Sequence, residues 1–243
     1  MSNVLLPSDG ISIRQGVYEE SLSQKTELGR FIDFEDGRRF RYCKAAAALP
    51  LGKLVQASAI DTNHDETVQT GYGLSIGDKD DISVLLTSAP TVNEYADGWL
   101  VCNVGTGLGQ IYRIKKNTAA YAPCKIWLYD EIKVAVAATA EITLIKNKYL
   151  DVIAYPGSAI TGPPVGVPLI TVTDAYYCWL QTRGYCVMIV DDGATLVVGN
   201  NVIPGSTDAG AVDPNAADTH PVLGVVVHIA GTDEYATIDL KLE

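Results

Sequence analysis

An antiparallel all-β fold, a β-sandwich or barrel of jelly-roll type with an extended N-terminal arm, is the class that this 243-residue sequence predicts. Three observations point to it. Short runs rich in β-branched and aromatic residues recur along most of the chain, and several alternate apolar with charged side chains. Turn chemistry separates the runs, as at Glu35-Asp36-Gly37, Gly105 to Gly109, Asp191-Asp192-Gly193 and Gly199-Asn200-Asn201. The stretches that could start helices are cut short, since Ala45 to Ala48 run into Pro50 and Gly52.

Taken in order, residues 1–30 hold no sustained period. Val4-Leu5-Leu6 makes a small apolar knot before Pro7, and Ser, Gln and Glu dominate Glu19 to Glu27. A segment of this kind buries too little apolar surface to offset its own ordering entropy. It is expected either to be disordered or to be an arm that orders on a partner, and Ile11, Ile13, Val17, Tyr18 and Leu22, stickier than a solvating tail requires, favour the arm. The β-rich body, 31–243, opens with a strand, turn and strand from Phe31 to Tyr42, placing Phe40 and Tyr42 on one face and Arg39 and Arg41 on the other. Lys53 to Gln56, Trp99 to Val104, Ile111 to Ile114 and Lys125 to Tyr129 read as further strands, and Ile82 to Leu86 is a short apolar run among Asp-rich turns. Ile132 to Ile145 reads as two strands around Ala137 to Ala140, because Val134, Val136, Ile142 and Leu144 keep a period of two.

Residues 155–168 carry four prolines and three glycines. They are expected as an extended connector that divides the body into subdomains 31–155 and 165–243. Leu169 to Val172 then leads into Tyr176 to Val212, whose apolar runs are expected to pair as a hairpin across Asp191-Asp192-Gly193. A last hairpin joins Val222 to Ile229 with Tyr235 to Leu242, where Ile238, Leu240 and Leu242 alternate with Thr237, Asp239 and Lys241.

Charge and length narrow the function classes. The formal net charge is −11, yet Gly10 to Ile60 holds eight basic residues against six acidic ones, while Tyr185 to Glu243 holds one against nine. That balance argues against general nucleic-acid binding, which wants a basic face, and is compatible with docking the N-terminal part on an acidic protein surface. No apolar run approaches the ~20 residues that span a bilayer, and the opening MSNVLLPSDG lacks a secretory pattern, so a soluble product of the cytoplasm with no membrane partner is expected. The five cysteines (Cys43, Cys102, Cys124, Cys178, Cys186) form no CxxC pair and sit mostly in apolar runs, which predicts buried free thiols rather than a zinc site.

The motif search is equally restrictive. Asp61, His64, Asp65 and Glu66, and then Asp78, Asp80 and Asp81, lack the oxygen ladder, central glycine and distal Glu of a calcium loop, so they read as solvated turn carboxylates. Gly105, Gly107 and Gly109 are spaced GxGxG and lead into an alternating strand, not the helix that a phosphate cradle needs. No GxSxG occurs. A pairing of His220 or His228 with Asp213, Asp218 or Asp239 is the nearest approach to hydrolase chemistry, and surface histidines are the commoner reading. Trp99, Trp127, Tyr176, Tyr177, Trp179 and Tyr185 could line a sugar groove, though strand spacing favours packing. No catalytic residue, metal or cofactor is expected.

Several segments nonetheless resemble a known group. Asp36-Gly37-Arg38-Arg39-Phe40-Arg41-Tyr42 is followed by Lys44 and an alanine-rich Leu-Gly-Lys-Leu-Val. Later come Asp97-Gly98, Gly107-Leu108-Gly109-Gln110-Ile111-Tyr112-Arg113-Ile114-Lys115-Lys116-Asn117, Tyr177 to Gly184, Leu223-Gly224-Val225 and an Asp-Leu-Lys-Leu ending. Together, over most of 30–243, these resemble the capsid decoration (cement) proteins of tailed bacteriophages. The resemblance implies a non-enzymatic structural protein of the virion. It would be made in the host cytoplasm and bind the exterior of an icosahedral head, as a homo-oligomer, trimer ahead of dimer, clamping major capsid protein subunits. If the arm orders on that capsid, Arg14, Arg38, Arg39 and Arg41 are the anchors expected to meet acidic patches. A carbohydrate- or receptor-binding β module of a virion is the alternative, and a hydrolase on a β scaffold a further rival.

Overall fold

The computed structural model describes residues 15–157, 160–214 and 220–243, and over these the chain is all-β, with no helix among the described residues. The chain divides into two units, with Ala59–Asn147 inserted into a unit built from the residues up to Ser58 together with Lys148–Glu243. The outer unit holds β1 (Phe31–Asp33), β2 (Arg39–Lys44) and β3 (Val55–Gln56) before the insertion. The inserted unit holds β4 (Thr67–Val68), β5 (Ile82–Val84), β6 (Trp99–Val104), β7 (Ile111–Asn117), β8 (Cys124–Leu128) and β9 (Glu141–Ile145). Returning to the outer unit, the chain forms β10 (Ile153–Ala154), β11 (Pro164–Pro168), β12 (Tyr177–Ile189), β13 (Asn201–Pro204), β14 (Val212–Pro214), β15 (Gly224–His228) and β16 (Tyr235–Lys241). Each unit is one curled antiparallel sheet, with order β10-β3-β11-β12-β16-β15-β13-β14 in the outer unit, where β1 and β2 lie off that path, and β4-β9-β6-β7-β8-β5 in the inserted one.

Strand β12 organises the outer sheet. Its first half pairs with β2, from Tyr177↔Lys44 to Arg183↔Arg39, and with β11 at Gln181↔Val167; its second half pairs with β16, from Arg183↔Lys241 to Ile189↔Tyr235. The handover falls at a bulge between Gln181 and Arg183. The buried Gln181 amide closes that bulge by donating to the carbonyls of Arg183 (3.0 Å), Gly184 (3.3 Å) and Tyr185 (2.9 Å). A bulge bends a strand and raises its twist, which lets one 13-residue strand serve two sets of partners. The inward faces make the core: Phe40 and Tyr42 with Trp179, Ile32 and Val17 around β2, and Cys186, Met188, Ile238 and Leu240 between β12 and β16. Burying each large side chain stabilises by roughly 1.5–3 kcal/mol.

The inserted unit buries Leu100, Cys102, Tyr112, Ile114, Ile126, Leu128, Ile142 and Leu144, all on the inward parity of β6 to β9. Its β6–β7 hairpin turns through Gly105, Gly107 and Gly109, each at a positive φ of 80–92°. An L side chain adopts that region at a cost, which is why glycine recurs here at alternate positions.

Four expectations change. The boundary is not at the proline-rich connector: residues 155–168 lie inside the outer unit, and Pro164–Pro168 is itself strand β11. Prolines at the first and last strand positions and a bulge between Pro164 and Gly166 let the ladder tolerate them. Asp191-Asp192-Gly193 turns the chain without making a hairpin, because β2, β11 and β16 hold β12 and residues 194–200 join no ladder. Ile132 to Val136 contributes an isolated bridge, Val136↔Leu74, in place of the first of the two expected strands. Finally, residues 15–30 do not wait for a partner. Gln15 donates to the carbonyls of Glu19 and Tyr177 and accepts from the Tyr42 hydroxyl (each 2.9 Å), Trp179 Nε1 donates to the Gln15 carbonyl (3.1 Å), and Ser21 bridges Tyr177. Those hydrogen bonds satisfy the buried Gln15 amide, the Tyr42 hydroxyl and the Trp179 indole, so a polar segment packs on its own body. The arm residues 1–14 lie outside the described residues.

Asp191 closes the far end of β12. Its buried carboxylate accepts from the backbone amides of Ser206 (3.0 Å), Thr207 (3.0 Å) and Asp208 (2.6 Å), fixing the 204–208 turn. Replacing it strands three donors, so Asp191→Ala is expected to destabilise the chain by about 3 kcal/mol in a denaturant titration. A loss under about 0.5 kcal/mol would show that water replaces the carboxylate freely. Gly224→Ala is expected to separate β15 from β16, because a Cβ there would overlap the Asp239 carbonyl oxygen. The readout is amide exchange, with faster exchange confined to those strands.

Candidate functional site

Two of the four sequence-predicted anchors, Arg39 and Arg41, sit on the outward side of β2, Arg38 stands in the turn just before that strand, and all three are already engaged. Arg39 makes a bidentate pair with Asp33, Nε to Oδ1 at 2.7 Å and an amino nitrogen to Oδ2 at 2.8 Å. Arg41 makes another with Glu243, at 2.8 Å on both oxygens, and donates to the Gly29 carbonyl at 2.7 Å. Arg38 pairs with Asp36 at 2.7 Å. Arg39 and Arg41 both lie over the Phe31 ring, and Arg38 lies over Phe34 and Phe40. Alternation places Arg39 and Arg41 outward as the sequence indicates, and local acids pair with all three guanidiniums. Arg14 lies outside the described residues.

The outward face beyond them, on β12 and β16, is the apolar one. Tyr185 is 64% exposed and Val187 41%, and Tyr235, opposite Ile189, is 45%. Half-buried Val225 and Val227 extend the face onto β15. At its edge lies an open cleft of about 360 Å³ lined by Asp36, Gly37, Arg183, Gly184, Tyr185, Asp239 and Lys241. Arg183 and Lys241 are direct cross-strand partners, a like-charge pair that is unfavourable by itself. Arg183 is turned onto the Gly37 carbonyl (3.3 Å) and Lys241 leans toward Asp239 (3.5 Å), which spreads the two charges apart.

The inserted unit carries a second outward face. Trp99 of β6 is 39% exposed and pairs with Arg113 of β7, whose carbonyl accepts from the amide of Tyr129, the residue that follows β8, so the three residues lie in one row. Asp97 ties the row by accepting from Arg113 (2.7 Å) and from the Tyr129 hydroxyl (2.9 Å). Arg113 rides over the Tyr129 ring at 4.6 Å, and Lys116 over Trp127 at 4.1 Å. The alternation Ile111-Tyr112-Arg113-Ile114 was the sequence signal for this face, since it sends Ile111 and Arg113 outward together. Trp179, by contrast, is core.

The histidines and acids divide differently from expectation. His64 is buried, not a turn residue at the surface. Its Nδ1 meets the Tyr95 hydroxyl at 2.5 Å and its Nε2 meets the Ser88 carbonyl at 3.0 Å and Ser88 Oγ at 3.2 Å, with Asp61 3.6 Å from Nδ1. Serine, histidine and aspartate therefore meet, but the carbonyl requires a proton on Nε2, and Nδ1 then accepts from Tyr95. In that tautomer Nε2 cannot take the serine proton, so His64 is a structural stitch. His228 is exposed, and the buried His220 Nδ1 has no hydrogen-bond partner; Asp218 lies outside the described residues. Among the described residues no group of three or more His, Cys, Asp or Glu side chains could hold a metal ion. All five cysteines are free and buried.

The ion pairs on β2 make stability depend on pH. Burial pushes the Glu243 carboxyl up, but the hydrogen bond and charge of Arg41, with help from Tyr149 and Arg39, hold it below its ordinary 4.5. The Arg39 bond holds Asp33 below 3.8. A carboxylate depressed on folding stabilises fully above its ordinary pKa and loses that contribution as pH falls through the folded value. Glu243→Gln is therefore expected to melt below the parent chain at neutral pH, and the gap to narrow as the pH drops under 4.5. Thermal melts across that range check it; a constant gap would contradict the assignment.

No protein-family model, no curated protein and no solved structure matches this chain.

Proposed function

We propose that the chain is a structural virion protein, a capsid decoration protein that binds the exterior of an icosahedral phage head and stabilises contacts between major capsid protein subunits. The observation that carries this reading is the β12–β16 outward face, where Tyr185, Val187 and Tyr235 stand exposed on a rigid central ladder beside an open, charge-lined cleft. Exposed aromatic and branched side chains rimmed by charges suit a protein partner: the aromatics supply contact area at low entropic cost, and the rim sets register. The inserted unit adds its own aromatic and cationic face, so one chain offers two places of attachment. Neither contact has to be tight. Linked attachments, repeated around a homo-oligomer and over a symmetric shell, multiply small free energies into lasting occupancy. On this reading the anchors are the Tyr185 face and not Arg38, Arg39 and Arg41, whose charges serve the body itself.

A second reading, a carbohydrate- or receptor-binding module of the virion, is favoured by one specific feature: Trp99 and Tyr129 lie in a row with Arg113 and Asp97, the mixture of rings and polar groups that grips a sugar.

Undecorated heads mixed with the purified chain separate the two. The parent chain is expected to cosediment with heads to saturation, and Tyr185→Ser/Val187→Ser to bind roughly 10- to 100-fold more weakly. Failure of the parent chain to bind heads, together with glycan binding that Trp99→Ala abolishes, would replace the first reading with the second.

A further inference from the structure

The outer unit is assembled from two stretches of chain with the whole of Ala59–Asn147 between them, and the ladder that joins those stretches holds two cysteines face to face. Cys43 of β2 and Cys178 of β12 are direct register partners, 135 residues apart in sequence, with their sulfurs 3.3 Å apart. Antiparallel partners lie about 4.5–5.5 Å apart at Cα, inside the range of about 4.4–6.8 Å that a disulfide spans. We propose that Cys43 and Cys178 are a latent oxidation site, closed by a peroxide into a cross-strand disulfide that staples the two stretches of the outer unit across the inserted one.

The chemistry balances with hydrogen peroxide as the oxidant. One cysteine, as thiolate, attacks a peroxide oxygen and becomes a sulfenic acid while one water leaves. The second sulfur then attacks the first, the S–S bond forms, the sulfenic oxygen departs as a second water, and two thiols have given up two electrons. Burial sets the rate. Both side chains are fully buried, and the Cys43 thiol is pushed well up by burial and then by Cys178, so little thiolate exists at neutral pH and the first step waits on local opening. The second step needs no search, because the resolving sulfur already lies in contact. Selectivity follows from the same geometry. The Cys124 and Cys186 sulfurs are engaged with backbone carbonyls, not with another sulfur.

The consequence is topological. A covalent link over so long a loop restricts the unfolded chain strongly, and it would hold the outer unit's two stretches together even if the inserted unit were cut. This inference stands apart from the shell-binding reading and survives its failure.

The test uses the full folded chain, exposed to hydrogen peroxide, quenched, and unfolded with a thiol-blocking reagent. Of the five free thiols, two are expected to disappear, with a mass loss of two hydrogens and a peptide joining Cys43 to Cys178. After proteolytic nicking within 59–147, the two fragments are expected to run as one band on a non-reducing gel and to separate on reduction. The oxidised chain should also melt higher than the reduced one, a shift that Cys178→Ala removes. Five thiols still titratable, a link involving another cysteine, addition of oxygen without a link, or a lower melting point on oxidation would each overturn the proposal. Because these readouts use the parent chain, poor folding of the variant leaves the outcome decided.

Discussion

The bulge in β12 is the constraint on which the outer unit depends. Strand β12 exchanges partners partway along its 13 residues, which requires a local bend and added twist. The chain resolves this by inserting an extra residue after Gln181 and burying the glutamine amide against three successive carbonyls. Before the bulge, β12 belongs to β2 and β11; after it, to β16. The apolar outward face of Tyr185 and Val187 begins where that handover ends, so the proposed docking surface inherits its position from a buried polar group.

The same economy explains why β2 keeps its arginines to itself. Phe31 offers an exposed ring and Asp33 and Glu243 offer carboxylates, and three guanidiniums on alternating and adjacent positions would repel one another without them. Ion pairs this exposed contribute little each, but they are bidentate and share members, which raises their value as a network. The charge of the basic N-terminal fifth is thus largely used within the fold.

Local chemistry was legible in the sequence wherever neighbours in the chain are neighbours in space. The β1–β2 and β15–β16 hairpins, the β6–β7 glycine turn and the burial of all five cysteines followed from alternation, turn residues and side-chain type. What was not legible depends on distant partners. Asp191-Asp192-Gly193 carries hairpin chemistry, yet β16, some fifty residues on, takes the edge of β12 that the turn would have served. The prolines of β11 read as a break because their placement at strand ends and at a bulge is a property of the β3 and β12 ladders. The polar run from Gln15 to Glu27 read as an unsupported arm because its binding site, Tyr42 with Tyr177 and Trp179, is assembled from two strands far apart in the chain, β2 and β12. At the candidate surface, composition identified aromatics without saying which were core: Trp179 is buried and Tyr185 is not, although six residues separate them on one strand.

The most direct test of the central claim, that this chain acts through an exposed sheet face on a shell, is a cryo-electron microscopy reconstruction of heads saturated with it. The account predicts density on the outer surface of the shell with Tyr185, Val187 and Tyr235 pressed against a capsid subunit. Bound chains with that face turned to solvent, or heads that remain bare, would contradict it.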